Sequence, residues 1–158
     1  MNDNQDNLTT EAEAPDMVNH PPHYTNGPRM GELECIEVRH WLPSDLADAF
    51  KYVWRAGKKD PTKFVEDLDK AYFYLEDWNM LEPWHDTLYR ITSTPRVLFF
   101  RADLSSMEPW RRAVLKAIVL NDVSEALWLI AKQIKAAEEA ADEAFRRYAP
   151  EDETDDPD

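Results

Sequence analysis

Glycine is scarce in this chain, with three among 158 residues. So few exclude glycine-rich phosphate loops, dinucleotide-binding turns and most all-β architectures, whose tight turns need residues free to adopt positive φ. Helices are the default. A single cysteine, Cys35, excludes an internal disulfide and fits a reducing compartment. No apolar run approaches the ~20 residues of a membrane helix, and the first residues are acidic where a secretory signal would be basic and then apolar. A cytoplasmic protein is expected. Gly-x-x-x-x-Gly-Lys-Ser/Thr is absent, which excludes a P-loop, and so is the Gly-x-Ser-x-Gly elbow of nucleophilic serine enzymes.

What the chain has in excess is negative charge, −14 overall, unevenly placed. Residues 1–16 hold five acids and residues 150–158 hold six, with no base in either. Setting those eleven aside leaves the body near −3. Both ends are poor in apolar residues and are expected to be disordered, solvated tails. Between them, residues 17–149 suit one domain with a real core, being too few for two. No extended basic surface is evident, so duplex DNA is not an expected ligand.

The centre of that body is a basic hairpin spanning about 44–78. Leu46, Ala49, Phe50, Val53 and Trp54 recur at the spacing of one helical face, and Gly57 ends the helix as a left-handed cap would. Ser44 and Asp45 are expected to cap its start. Asp60 before Pro61 predicts a second helix, whose Phe64, Leu68, Ala71, Leu75 and Trp78 form a matching stripe. The two stripes can therefore face each other. Lys51, Arg55, Lys58, Lys59 and Lys63 then gather at one end against Asp60 alone, making the segment +4. Cations beside a helix N-terminus form a plausible phosphate site, although lysines at a helix end also simply complement its dipole.

Around the hairpin, Val18-Asn-His-Pro-Pro-His-Tyr24 is held extended by two prolines. A short helix is expected from about Glu34 to Pro43. Residues 79–106 break periodicity, and Arg96-Val-Leu-Phe-Phe-Arg101 reads as a short strand or buried extended segment. Pro109 opens another helix that runs to Leu120. Asp122 with Glu125 is a capping-box pattern ahead of a long last helix carrying Val123, Leu127, Ile130, Ile134, Ala137, Ala141, Ala144 and Tyr148. Its Ala-lined end projects past a small domain, so a homo-oligomer through that helix is expected. The fold class is all-α: a small helical bundle built on the hairpin, with a C-terminal helix pair and one extended segment near 96–101.

Candidate chemistry is sparse. His20, His23, His40 and Cys35 are side chains that zinc takes, but none has metal-site spacing, and the histidines read better as hydrogen-bonding groups. Glu34 with Glu37, and Glu66 with Asp69, are carboxylate pairs that could hold Mg²⁺ if they faced each other. In a chain so rich in acids such spacings also arise by chance, as Glu138, Glu139 and Asp142 illustrate.

The Val18-to-Tyr24 segment, Glu34-Cys-Ile-Glu37, Phe50-Lys-Tyr-Val-Trp-Arg-Ala-Gly-Lys-Lys59 and Asp67-Leu-Asp-Lys-Ala-Tyr-Phe-Tyr-Leu75 together resemble a small phage domain family of formally unknown function. A branch of it in T7-like phages is described as a nucleotide kinase that phosphorylates deoxynucleoside monophosphates without a P-loop. The likeness covers roughly residues 18–78 and leaves 79–149 as an extension. It implies a protein of the infected host cell's cytoplasm that takes a nucleotide, with a nucleotide phosphate donor as co-substrate. By position it implies Lys51, Arg55, Asp67 and Lys70 as catalytic residues, with Asp67 orienting Lys70 or the acceptor. His20, His23, Tyr24, Lys58, Lys59 and Tyr74 would bind the substrate or its phosphates. Many members have Gly-Asn where this chain has Ala47-Asp48, whose carboxylate would repel a phosphate. The paired carboxylates resemble instead the Mg²⁺-dependent MazG-type pyrophosphohydrolases, and the tails with the last helix suit a non-enzymatic interaction protein. A nucleotide or other phosphate ligand at the hairpin, with no membrane partner, is the expectation carried forward.

Overall fold

The structure, a computed structural model, describes Val18 and residues 34–81 and 93–148. The acidic tails and His20, His23 and Tyr24 lie outside the described residues. Six α-helices and one 3-10 turn are present among those described, without a strand. They are α1 (Cys35–Arg39), α2 (Ser44–Arg55), the 3-10 turn Pro61–Lys63, α3 (Phe64–Met80), α4 (Thr94–Arg101), α5 (Pro109–Val119) and α6 (Val123–Tyr148). The expected all-α bundle is what the chain forms.

Helices α2 and α3 make the hairpin by burying the stripes that their spacing predicts. Leu46, Ala49, Phe50, Val53 and Trp54 of α2 and Leu68, Ala71 and Leu75 of α3 are all fully buried, with Trp78 close behind. Phe64 is only half-buried, and its ring meets Trp110 edge-on at 5.5 Å. Between the helices Gly57 takes φ +71°, the left-handed conformation that glycine adopts without a Cβ penalty. A Cβ there would also stand 3.1 Å from Phe64 Cδ2. Asp60 accepts from the Thr62 amide at 2.9 Å and so caps the 3-10 turn, which carries the chain into α3. Ser44 and Asp45 fall inside the first turn of α2, with Pro43 at the cap position. Asp45 still places a negative charge where the helix dipole favours one.

The C-terminal helices close the bundle over the hairpin. Helix α5 starts at the hairpin's turn, where Arg111 reaches the end of α2. It runs to the far end, where the Trp78 indole N–H of α3 donates to Asn121 Oδ1 at 2.8 Å. Asn121 turns the chain at φ 58°, and the Glu125 amide bonds the Asp122 carboxylate at 3.2 Å, as the capping pattern predicts. Helix α6 then returns along α3 toward the turn, burying Val123, Ala126 and Ile130. Ile134 and Ala137 are half-buried, and residues 138–147 are exposed, so the helix outruns its neighbours by about 15 Å at 1.5 Å per residue.

One expectation is overturned. Residues 96–101 lie in the helix α4, not in an extended segment. Pro95 occupies the first helical turn, where its missing N–H costs nothing. The run Val97-Leu98-Phe99-Phe100 suggests a strand buried on both faces, yet only Phe99 is fully buried, its ring edge-on to Phe50 at 6.4 Å. Val97 and Phe100 are exposed. A short unbroken apolar run has no period of its own, so it fits a one-sided helix equally well.

Arg111 is the least expected part of the core, only 2% exposed. Its Nη1 and Nη2 donate to the Trp54 and Ala56 carbonyls, each at 2.7 Å. Those oxygens belong to the C-terminal turn of α2, where backbone acceptors lack helical partners and the dipole favours a cation. Glu108 lies 3.2 Å from the same Nη2, and the guanidinium stands over Trp110 at 4.8 Å.

Candidate functional site

Tyr52 points from α2 into the angle between the two hairpin helices, and cations collect around its ring. Lys51 Nζ lies 4.5 Å from the ring centroid, the Arg55 guanidinium carbon 4.6 Å and Lys70 Nζ 5.7 Å. Tyr74, one helical turn beyond Lys70 on α3, stacks on Tyr52 at 5.8 Å with 13° between the planes. Three like charges so close repel one another, and the negative face of an aromatic ring offsets part of that cost. Acids offset the rest.

Asp48 accepts from Lys51 at 2.7 Å and from Arg39 of α1 at 3.1 Å. Glu66 is bridged in the same way by Lys63 at 2.7 Å and by Lys70. The two lysine hydrogen bonds hold the exposed Glu66 carboxyl down at about 2. Asp67 takes Arg55 Nη2 at 2.8 Å across the hairpin. Five cations thus share three carboxylates. Asp48 does not stand as a bare negative charge against a phosphate, because two cations already neutralise it.

Four of the expected site residues, Lys51, Arg55, Lys70 and Tyr74, are brought together here. Asp67 joins them in a different role from the expected one: its partner is Arg55, and Lys70 bonds Glu66 instead. The reason is the face each acid occupies. Asp67 is 3% exposed on the side of α3 turned to α2, while Glu66 shares the outer face with Lys63 and Lys70. Lys58 goes to another ring, its Nζ 5.8 Å from Trp54, where burial and the nearby Arg111 charge lower its pKa. Lys59 is exposed. Sequence reasoning missed Arg39, whose partner lies nine residues away, and gave Tyr52 no role. A tyrosine flanked on its own helix by Lys51 and Arg55 was the available signal.

Burial pushes the Cys35 thiol up to about 12 against the pull of Arg39, Lys51 and Lys58, so it keeps its proton at neutral pH. The Glu34 amide donates to the Glu37 carboxylate at 2.7 Å, which ties that pair into the start of α1. Among the described residues no group of three or more His, Cys, Asp or Glu side chains is placed to hold a metal ion. None of the described helices is long and apolar enough to cross a membrane.

The arrangement defines an all-α domain organised on a basic helical hairpin with an aromatic pair between its arms. Residues 18–76 match the model of a family described as a protein of unknown function, DUF3310. The matched segment takes in α1, α2 and most of α3, and with them every residue of the cluster around Tyr52. No curated protein and no solved structure matches the chain.

Proposed function

We propose that the chain binds a nucleotide through its phosphate at the basic hairpin. Lys51, Arg55 and Lys70 grip the phosphate oxygens, and the Tyr52–Tyr74 pair offers a flat apolar surface to the base. The observation that carries this reading is the convergence of three cations, from two helices, on one tyrosine ring, within a network of five cations and three carboxylates. Such a surplus of positive charge in an acidic protein is costly to assemble unless an anion completes it. Phosphoryl transfer to a deoxynucleoside monophosphate is the activity that the family resemblance attaches to this site. That reaction asks the protein mainly for positioning and charge neutralisation, which these groups are suited to supply.

The choice of test variants follows from the ion pairs. Arg55→Ala would strand the buried Asp67 carboxylate and destabilise the fold by about 3–5 kcal/mol, so loss of binding would be ambiguous. Lys51→Ala and Lys70→Ala leave Asp48 with Arg39 and Glu66 with Lys63. Each should cost at most about 1 kcal/mol of stability. The experiment is calorimetric titration of the wild type and both variants with mono-, di- and triphosphate nucleotides at two salt concentrations, followed by a turnover assay with Mg²⁺. Binding weakened several-fold in each variant, and by added salt, is expected. A wild type that binds no nucleotide, or variants of unchanged affinity, would refute the site.

A further inference from the structure

A carboxylate beside an anion site opposes binding, so the presence of Asp67 needs a reason. It is among the most deeply buried polar groups of the hairpin, and its partner Arg55 is itself only 16% exposed. The 2.8 Å bond spans the two helices, from the last residue of α2 to the first turn of α3. On its other side the guanidinium lies over Tyr52, which Tyr74 backs from α3. Arg55 is therefore pinned between a carboxylate and an aromatic face, each contributed or braced by the opposite helix. Guanidinium has five N–H donors in one plane, and bidentate contact with phosphate depends on how that plane is turned. Lys51 and Lys70, as point charges on flexible stems, have no such requirement.

We propose that Asp67 is the positioning residue of the site: it acts on the ligand only through Arg55, fixing the guanidinium plane against Tyr52 in the orientation that grips a phosphate. This rests on the phosphate-binding reading above. It also reverses the sign that charge alone dictates. Removing a negative charge near an anion site should tighten binding, whereas loss of a positioning residue weakens it.

The test is a thermodynamic cycle in the full chain: wild type, Asp67→Asn, Arg55→Lys and the double variant, each titrated with dAMP and with ATP. Asp67→Asn should weaken binding at least fivefold, and the same change in the Arg55→Lys background should alter it less than twofold. Unchanged or tighter binding by Asp67→Asn overturns the proposal, as does an equal loss in both backgrounds. Should Asp67→Asn fail to fold, Asp67→Glu serves in its place. That variant keeps the charge and moves the carboxylate, so a charge role predicts unchanged affinity and a positioning role predicts loss. A ligand-free readout separates this proposal from the reading beneath it. The Arg55 Nε–Hε resonance should be ordered in the wild type and averaged in the Asp67 variant. An averaged wild-type signal overturns the positioning role whatever nucleotides do. An ordered signal in a wild type that binds neither nucleotide overturns the phosphate reading, and the proposal falls with it.

Discussion

Arg111 shows how one buried charge can hold two segments together. Its two 2.7 Å bonds satisfy the Trp54 and Ala56 carbonyls, and each acceptor left buried and unpaired costs about 1–3 kcal/mol. Arg111→Met keeps much of the volume and removes both donors, so a loss of about 3 kcal/mol or more is expected in urea denaturation. Arg111→Lys, whose single nitrogen cannot reproduce the planar fork, should fall in between. A loss under ~1 kcal/mol for the methionine variant would mean that water or backbone movement replaces the guanidinium. A signal for this residue was present in the sequence. Arg111 lies three, four and seven residues before Val114, Leu115 and Ile118, which puts it in the buried stripe of α5. An arginine in an apolar stripe points to buried acceptors, though spacing alone cannot say which.

At the scale of elements, the hairpin was legible because both of its helices bury one regular stripe, and because glycine, proline and aspartate mark the turn by local chemistry. The boundaries of α6 were legible for the same reasons. Helix α4 was not, since four consecutive apolar residues carry no period. The Arg55–Asp67 pair was hidden too: its members are twelve residues apart on different helices, while the nearer Asp67–Lys70 spacing suggested an ordinary pair on one helix. What does sit on one helix is the Lys63–Glu66–Lys70 chain along the outer face at the start of α3. Glu66 ionises at about 2 in the fold, against 4.5 for a free side chain. A depressed carboxyl pKa adds stability above the unfolded value and loses it as pH falls through the folded one. The chain should therefore lose part of its stability between pH 4.5 and about 2. Glu66→Gln should flatten that part of the acid denaturation curve, by a small amount that salt reduces further because the group is exposed. Identical acid curves for the two proteins would show that the exposed pairs contribute nothing.

At the scale of the molecule, the matched segment ends inside α3, yet the hairpin it encodes packs against α5 and α6. A fragment of residues 18–78 would expose the sides of Leu68, Leu75 and Trp78 that the later helices cover, and would lose Arg111. It should show no cooperative thermal transition by circular dichroism. A chain ending at residue 138 removes only exposed turns of α6 and should melt within a few degrees of the full protein. A cooperatively folded fragment, or a collapse on trimming α6, would reverse this assignment of which parts hold the bundle.

The two carbonyls that Arg111 answers turn the basic hairpin into a fitting with an open socket. Any chain built on the same hairpin has to bring its own plug: a donor for those oxygens and an apolar slab for α2 and α3. In this protein both arrive from beyond the matched segment, on a helix that opens with Pro109 and Trp110 and inserts Arg111 into its first turn. Relatives of the whole chain should then be recognisable downstream of the hairpin by an arginine behind an aromatic at the start of a helix, even where the rest of the extension has drifted apart.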